Sequence, residues 1–189
     1  MHENETLTTI RSRRSTRSYQ PRPVAEEDLK TIAEAATWAP SGMSRHTYRF
    51  LVVSKPELLE ELNRRIRSAF RRSEREVLRQ RGENEQYCCY YHAPALIIAC
   101  NEPTEAWAAQ DCACALQNMF LSAHSLGLAS CWINQLSNGI SDEPEVHELL
   151  TEWGMPEGYK VYGCAAIGYP AQPIPEGAPR KDGLVRWVE

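Results

Sequence analysis

Neither a CxxC pair nor an iron–sulfur spacing nor a paired-histidine metal motif occurs in the chain, although it holds seven cysteines. An odd set without such spacing, Cys88, Cys89, Cys100, Cys112, Cys114, Cys131 and Cys164, argues against a disulfide framework and against a zinc site. It points to thiols that stay reduced and mostly buried. Cys112 and Cys114 fall in a helical pattern, where two residues apart is about 200° around the axis, so they do not form a ligand pair. No apolar run reaches membrane-spanning length, and Met1 to Thr6 is polar and acidic where a secretory signal is basic and then apolar. No membrane partner and a cytoplasmic location are therefore expected. Positive charge is not in excess either: the net charge is −4, which gives no reason to expect nucleic acid. A second nucleotide-binding fingerprint and a separate acceptor domain are also missing.

What is present fits one globular domain over residues 1–189, with 42% apolar and 24% charged residues. A short helix is expected from about Glu5 to Arg11, followed by a basic run and by Gln20-Pro21-Arg22-Pro23, which enforces extended backbone. Ala25 to Trp38 reads as a helix with Leu29, Ile32, Ala33 and Ala36 on one face, ended by Ala39-Pro40-Ser41-Gly42. Arg49 to Ser54 reads as a strand buried on both faces. Pro56 opens a long charged helix reaching Arg81, anchored by Leu59, Leu62, Ile66 and Phe70. Ala95 to Cys100 is a second buried strand, and Trp107 to Leu126 is the most apolar long helix, expected to be buried on several sides. Leu128 to Ile133 gives a third strand, Glu143 to Trp153 a helix and Lys160 to Gly168 a fourth strand. Prolines at 170, 173, 175 and 179 then make an extended arm, whose Val185, Trp187 and Val188 should pack on something. Alternating strands and helices give α/β or layered α+β.

Two basic clusters stand out in this acidic chain. In Arg13-Arg14-Ser15-Thr16-Arg17, extended geometry puts Arg13, Ser15 and Arg17 on one side, offering forked donors and a hydroxyl to a phosphate. A solvated basic turn is the plain alternative. Arg180-Lys181 lies in the tail, free to fold back or to stay solvated. Pro40-Ser41-Gly42 either lets backbone amides approach a flat ligand or simply ends a helix. The stretch from Gly127 to Ile133, Asn134 and Gln135 joins the apolar helix to a strand and a polar loop. His46, His92 and His124 are either candidate proton sources or, as lone histidines more often are, structural, and no catalytic triad is expected.

Taken in order, Arg-Arg-Ser-x-Arg, Ala-Pro-Ser-Gly, Gly-Leu-x-Ser-Cys-Trp-Ile, Ile-Gly-Tyr-Pro and Pro-Arg-Lys resemble the nitroreductase-like FMN flavoproteins over nearly the whole length. The resemblance implies an α+β fold with a central mixed sheet flanked by helices and an extended C-terminal arm. It also implies an FMN-binding homodimer that passes reducing equivalents from NAD(P)H to a nitroaromatic, a quinone or a similar acceptor by a ping-pong scheme. Arg13, Arg14, Ser15 and Arg17 would hold the FMN phosphate and ribityl chain, with Arg180 and Lys181 closing the pocket from the tail. Pro40, Ser41, Gly42 and Ser44 would face the flavin bound mainly by the other subunit, and Ile133, Asn134 and Gln135 would lie near its reactive edge. Departures occur at Ser44, His46, Thr47 and Tyr48, where the family usually has Asn, Gln and Pro-Trp. A flavin-binding module without turnover, and a dehalogenating or flavin-cleaving relative, stay open as alternatives.

Overall fold

The computed structural model describes residues 2–137 and 139–188. The chain opens with α1 (Glu5–Ser12), where the Asn4 side chain accepts the Leu7 N–H at 2.9 Å and satisfies one of the free donors of the first turn. In α2 (Glu26–Thr37) three acidic residues complement the helix N-terminus, and Leu29, Ile32 and Ala36 supply the buried stripe, with Ala33 half-buried beside it. The chain continues through β1 (Arg49–Val53), α3 (Pro56–Arg71), α4 (Glu76–Glu83), β2 (Ala95–Asn101) and α5 (Ala108–Ser125). It ends with β3 (Ala129–Ile133), α6 (Pro144–Glu152) and β4 (Lys160–Gly168), followed by an arm without regular structure.

The strands form a four-stranded sheet in the order β1-β2-β4-β3. Every pair of these strands is antiparallel, which corrects the expectation of a mixed sheet. Between β1 and β2 the reason lies in the connection, because α3 and α4 fold back on each other and return the chain to the end of the sheet it left. Among the described residues parallel pairing is confined to an isolated bridge between Ser15 and Ser130.

Both faces of the sheet are covered. Leu96, Ile98 and Cys100 of β2 pack with Leu59, Leu62, Ile66 and Leu149 from α3 and α6, whereas Ala95, Ile97 and Ala99 pack with Ile32, Leu116 and Met119 from α2 and α5. The period of two along β2 thus assigns alternate residues to two cores, and all seven of its residues are buried. Gly163 of β4 has no room for a side chain, since a Cβ there would lie 2.7 Å from Trp132 and 2.8 Å from Leu116.

Two other expectations are corrected. The long helix expected to reach Arg81 is broken between Arg71 and Glu76, so that α4 packs back on α3. Close approach is possible because Gly82 lies against the α3 backbone, where a Cβ would come 2.6 Å from the Arg71 nitrogen. β1, expected to be buried on both faces, is an edge strand: Val52 is 44% exposed and Phe50 and Leu51 are half-buried. No helix of the described residues is long and apolar enough to cross a membrane.

Candidate functional site

β3 forms the second edge of the sheet, and the basic run near the start of the chain lies along it. The Thr16 N–H donates to the Ser130 carbonyl at 3.0 Å, next to the Ser15–Ser130 bridge. Extended backbone then alternates the side chains. Arg13 and Arg17 both act electrostatically on the Cys131 thiol, while Arg14 turns away, donating to the carbonyls of Arg11 and Arg13. Arg13 sits 5.9 Å over the Phe120 ring of α5, and Arg17 sits 5.8 Å over Tyr91. Ser15 is exposed.

The arm returns to the same place. Its start is tied to the basic segment by Gln20 N–H to Tyr169 carbonyl at 2.9 Å and Ala171 N–H to Ser18 carbonyl at 3.1 Å. Farther on, Gly177 packs against Arg14 so tightly that a Cβ would overlap the guanidinium. Arg180 is near enough to be felt: burial, together with the charges of Arg14 and Arg180, lowers the Arg13 pKa below its ordinary value. Lys181 is exposed.

Among the described residues no carboxylate lies within 4.0 Å of Arg13, Arg14, Arg17, Arg180 or Lys181. In α3 and α4, by contrast, Arg64, Arg65, Arg72 and Arg79 each rest on a glutamate. Two buried polar atoms in the cluster, Arg14 Nε and Ser130 Oγ, have no hydrogen-bond partner among the described residues. Converging guanidinium groups and orphaned donors next to one strand edge suit a ligand with a terminal phosphate, which arginine engages through forked, charge-assisted bonds.

Pro40, Ser41 and Gly42 lie in the loop after α2, which is tied to the first turn of α5. Ser41 Oγ donates to Asp111 at 2.9 Å, Gly42 N–H donates to the same carboxylate at 3.1 Å, and the His46 N–H donates to Ser41 Oγ at 3.0 Å. Tyr48 braces the loop, its hydroxyl meeting His46 Nδ1 at 2.9 Å and donating toward the Thr37 carbonyl at 3.0 Å. Gly42 abuts the Trp107 ring, and Pro40 and Ser44 are exposed. Met43, Ser44 and His46 take left-handed φ of 53°, 54° and 48°, strained backbone for residues with a Cβ. Asp111 precedes Phe120 and His124 by nine and thirteen residues, about 14–20 Å of helix. No hydrogen bond among the described residues joins this loop to the arginine cluster.

The third group follows β3. The Ile133 side chain is buried in the core, which leaves its backbone as the polar feature. Asn134 is exposed and accepts the Trp132 indole N–H, and Gln135 is half-buried near Tyr87. Asn134 and Gln135 line a 170 Å³ cavity together with residues of α4.

Sequence reasoning missed Asp111, although a signal existed, since it is the one acidic residue in α5. It also missed Tyr91, the ring under Arg17, and the Thr16 backbone. His124 was noted as a proton source, but its Nε2 contacts Ser12 Oγ at 2.7 Å, where burial and the charges of Arg13 and Arg14 lower its pKa. No set of three or more His, Cys, Asp or Glu that would hold a metal ion occurs among the described residues. Cys89, Cys100, Cys112, Cys131 and Cys164 are buried free thiols, Cys88 is half-buried and Cys114 exposed.

Residues 10–169 match the model of the Nitroreductase family. A nitroreductase from Bacteroides fragilis, crystallised with bound FMN, is 51% identical and superposes with a TM-score of 0.95 over 99% of this chain and 100% of its own. A nitroreductase with bound FMN from Desulfitobacterium hafniense is 31% identical, with a TM-score of 0.87 over the full length of both chains. The NADPH-flavin oxidoreductase of Vibrio harveyi is 30% identical over 94% of this chain and 70% of its own length.

Proposed function

Because the chain belongs to the nitroreductase family, we propose that it is a homodimeric, cytoplasmic FMN oxidoreductase that passes reducing equivalents from NAD(P)H to a nitroaromatic, a quinone or a similar electron-poor acceptor. The observation that carries this reading is the uncompensated arginine cluster on the β3 edge, drawn from two ends of the chain. Similarity to two nitroreductases crystallised with FMN, and to a flavin oxidoreductase that uses NADPH, supports the choice of ligand and donor.

In this reading Arg13 and Arg17 grip the FMN phosphate from the strand edge, and Arg180, with Lys181, closes over it from the arm. Ser15 donates a hydroxyl beside them. Arg14 holds the arm in position through Gly177 and leaves its buried Nε for the ligand. Ile133, Asn134 and Gln135 offer backbone donors and small polar groups toward the edge of the ring. Pro40, Ser41, Gly42 and Ser44 form the wall of the partner protomer's site, which accounts for a loop so firmly tied to Asp111 and yet exposed at Pro40 and Ser44. When bound, FMN supplies the redox chemistry, accepting hydride and returning electrons. The protein binds, orients and controls access, and no side chain is assigned a covalent role.

One face serves donor and acceptor in turn, so the kinetics should be ping-pong. Cofactor released from the purified protein should run as FMN, and initial rates at several fixed acceptor concentrations should give parallel double-reciprocal lines. Intersecting lines would require a ternary complex and overturn the shared face. Release of a different cofactor would overturn the FMN assignment.

A further inference from the structure

Arg75, at the start of α4, and Arg81, in its last turn, open onto the 170 Å³ cavity that Asn134 and Gln135 border from the end of β3. Neither arginine has a carboxylate within 4.0 Å among the described residues, and no carboxylate lines the cavity. Of the hairpin's arginines, Arg64, Arg65, Arg72 and Arg79 are paired with glutamates and Arg71 donates to the Gly82 carbonyl, whereas Arg75 and Arg81 face the cavity without a carboxylate. Ser137, also in the lining, has a buried Oγ without a hydrogen-bond partner among the described residues. Phe70, Leu78 and Ile140 complete the wall with apolar surface. Two like charges on one small cavity, Arg81 resting 5.9 Å over the Tyr87 ring, together with an orphaned hydroxyl and two amide side chains, leave positive charge without a carboxylate and donors without an acceptor. An anion relieves both at once.

Size selects the anion. The cavity holds a few waters' worth of space at about 30 Å³ each, and it is smaller than the roughly 300–1,000 Å³ of pockets that enclose drug-sized ligands. A nucleotide does not fit inside it. A carboxylate, planar and able to take bonds from two guanidinium groups, Ser137 and an amide, does, with an attached ring or short chain against Phe70, Leu78 and Ile140.

We infer that the α4–β3 cavity is a carboxylate subsite, which selects small organic acids as acceptors through Arg75 and Arg81. The inference rests on the reading above, in that Asn134 and Gln135 border the flavin edge, so an acid anchored here extends its reducible end toward that edge. α4 is then the element that sets acceptor preference.

The test compares a matched pair of acceptors, nitrobenzene and 4-nitrobenzoate, on the FMN-loaded protein. The ratio of their kcat/KM values cancels losses common to both. Wild type should prefer the acid, and Arg75→Gln and Arg81→Gln should each lower the ratio about tenfold, as loss of a charge-assisted contact does. Arg64→Gln, paired with Glu61, should leave the ratio unchanged. Equilibrium dialysis with benzoate reads binding without turnover: the loaded wild type should bind it, and the double variant should not. An unchanged ratio with no benzoate binding, while nitrobenzene is still reduced, overturns the subsite and leaves the reductase standing. Arginine-dependent benzoate binding with neither acceptor reduced supports the subsite and overturns the reductase. A raised KM for NADPH in Arg81→Gln, with the acceptor ratio unchanged, makes the nucleotide phosphate the anion and overturns the carboxylate assignment.

Discussion

The carboxylate of Asp111 receives the Ser41 hydroxyl at 2.9 Å and the Gly42 N–H at 3.1 Å, so one buried acid of α5 fixes the loop after α2. Asp111→Ala leaves the Ser41 hydroxyl and the Gly42 amide without their acceptor and should cost about 1–3 kcal/mol in urea-induced unfolding. Asp111→Asn keeps one acceptor oxygen and should lose less. A loss under about 0.5 kcal/mol for the alanine variant would mean that other groups hold the loop.

Arg13→Ala and Arg17→Ala should weaken FMN binding about tenfold or more, since charge-assisted bonds carry on the order of 1.5–3 kcal/mol each. Riboflavin, without the phosphate, should bind nearly as before. Arg72→Ala, whose guanidinium rests on Glu143 and Glu145, should change neither affinity. Equal losses for both ligands would assign the arginines to folding.

His124 is held below its ordinary value of 6.5, first by burial and then by the charges of Arg13 and Arg14. The folded state therefore favours neutral imidazole. The unfolded chain takes up the proton first as pH falls, so this contribution is present above 6.5 and is lost as pH drops toward the folded-state pKa. The unfolding free energy of wild type minus that of His124→Gln should shrink between about pH 8 and about pH 5. A difference independent of pH would contradict the assignment.

Leu184, Val185, Trp187 and Val188 are 69–91% exposed in the single chain, a run of apolar side chains that water does not favour. A second copy of the chain is the expected cover. Light scattering on the FMN-loaded protein should give twice the chain mass of 21.5 kDa, and Trp187→Ala should weaken the association. A monomer that retains full flavin would contradict both the dimer and the shared site.

Where a pattern has one physical meaning, the sequence is readable. The buried run of β2 and the Leu59, Leu62, Ile66 and Phe70 stripe of α3 appear as expected, and Arg13 and Arg17 both lie near Cys131. The break after Arg71 was hidden, because no proline or glycine marks it and the charged residues suit a helix on either side. What makes the hairpin possible is Gly82, whose role depends on the α3 backbone it meets. Exposure of β1 was hidden as well, since an apolar run does not reveal whether its strand is central or at an edge. Asp111 and the Arg75–Arg81 pair became visible through long-range partners, or their absence, which local periodicity does not encode.

Anaerobic stopped-flow mixing of the FMN-loaded protein with NADH or NADPH tests the reductase most directly. Rapid bleaching of the flavin absorbance by one of the two, followed by full reoxidation on adding a nitroaromatic or a quinone, is the result expected of an oxidoreductase whose arginine-held cofactor serves donor and acceptor in turn. A flavin that stays oxidised with both nucleotides would contradict it and leave a binding module without turnover.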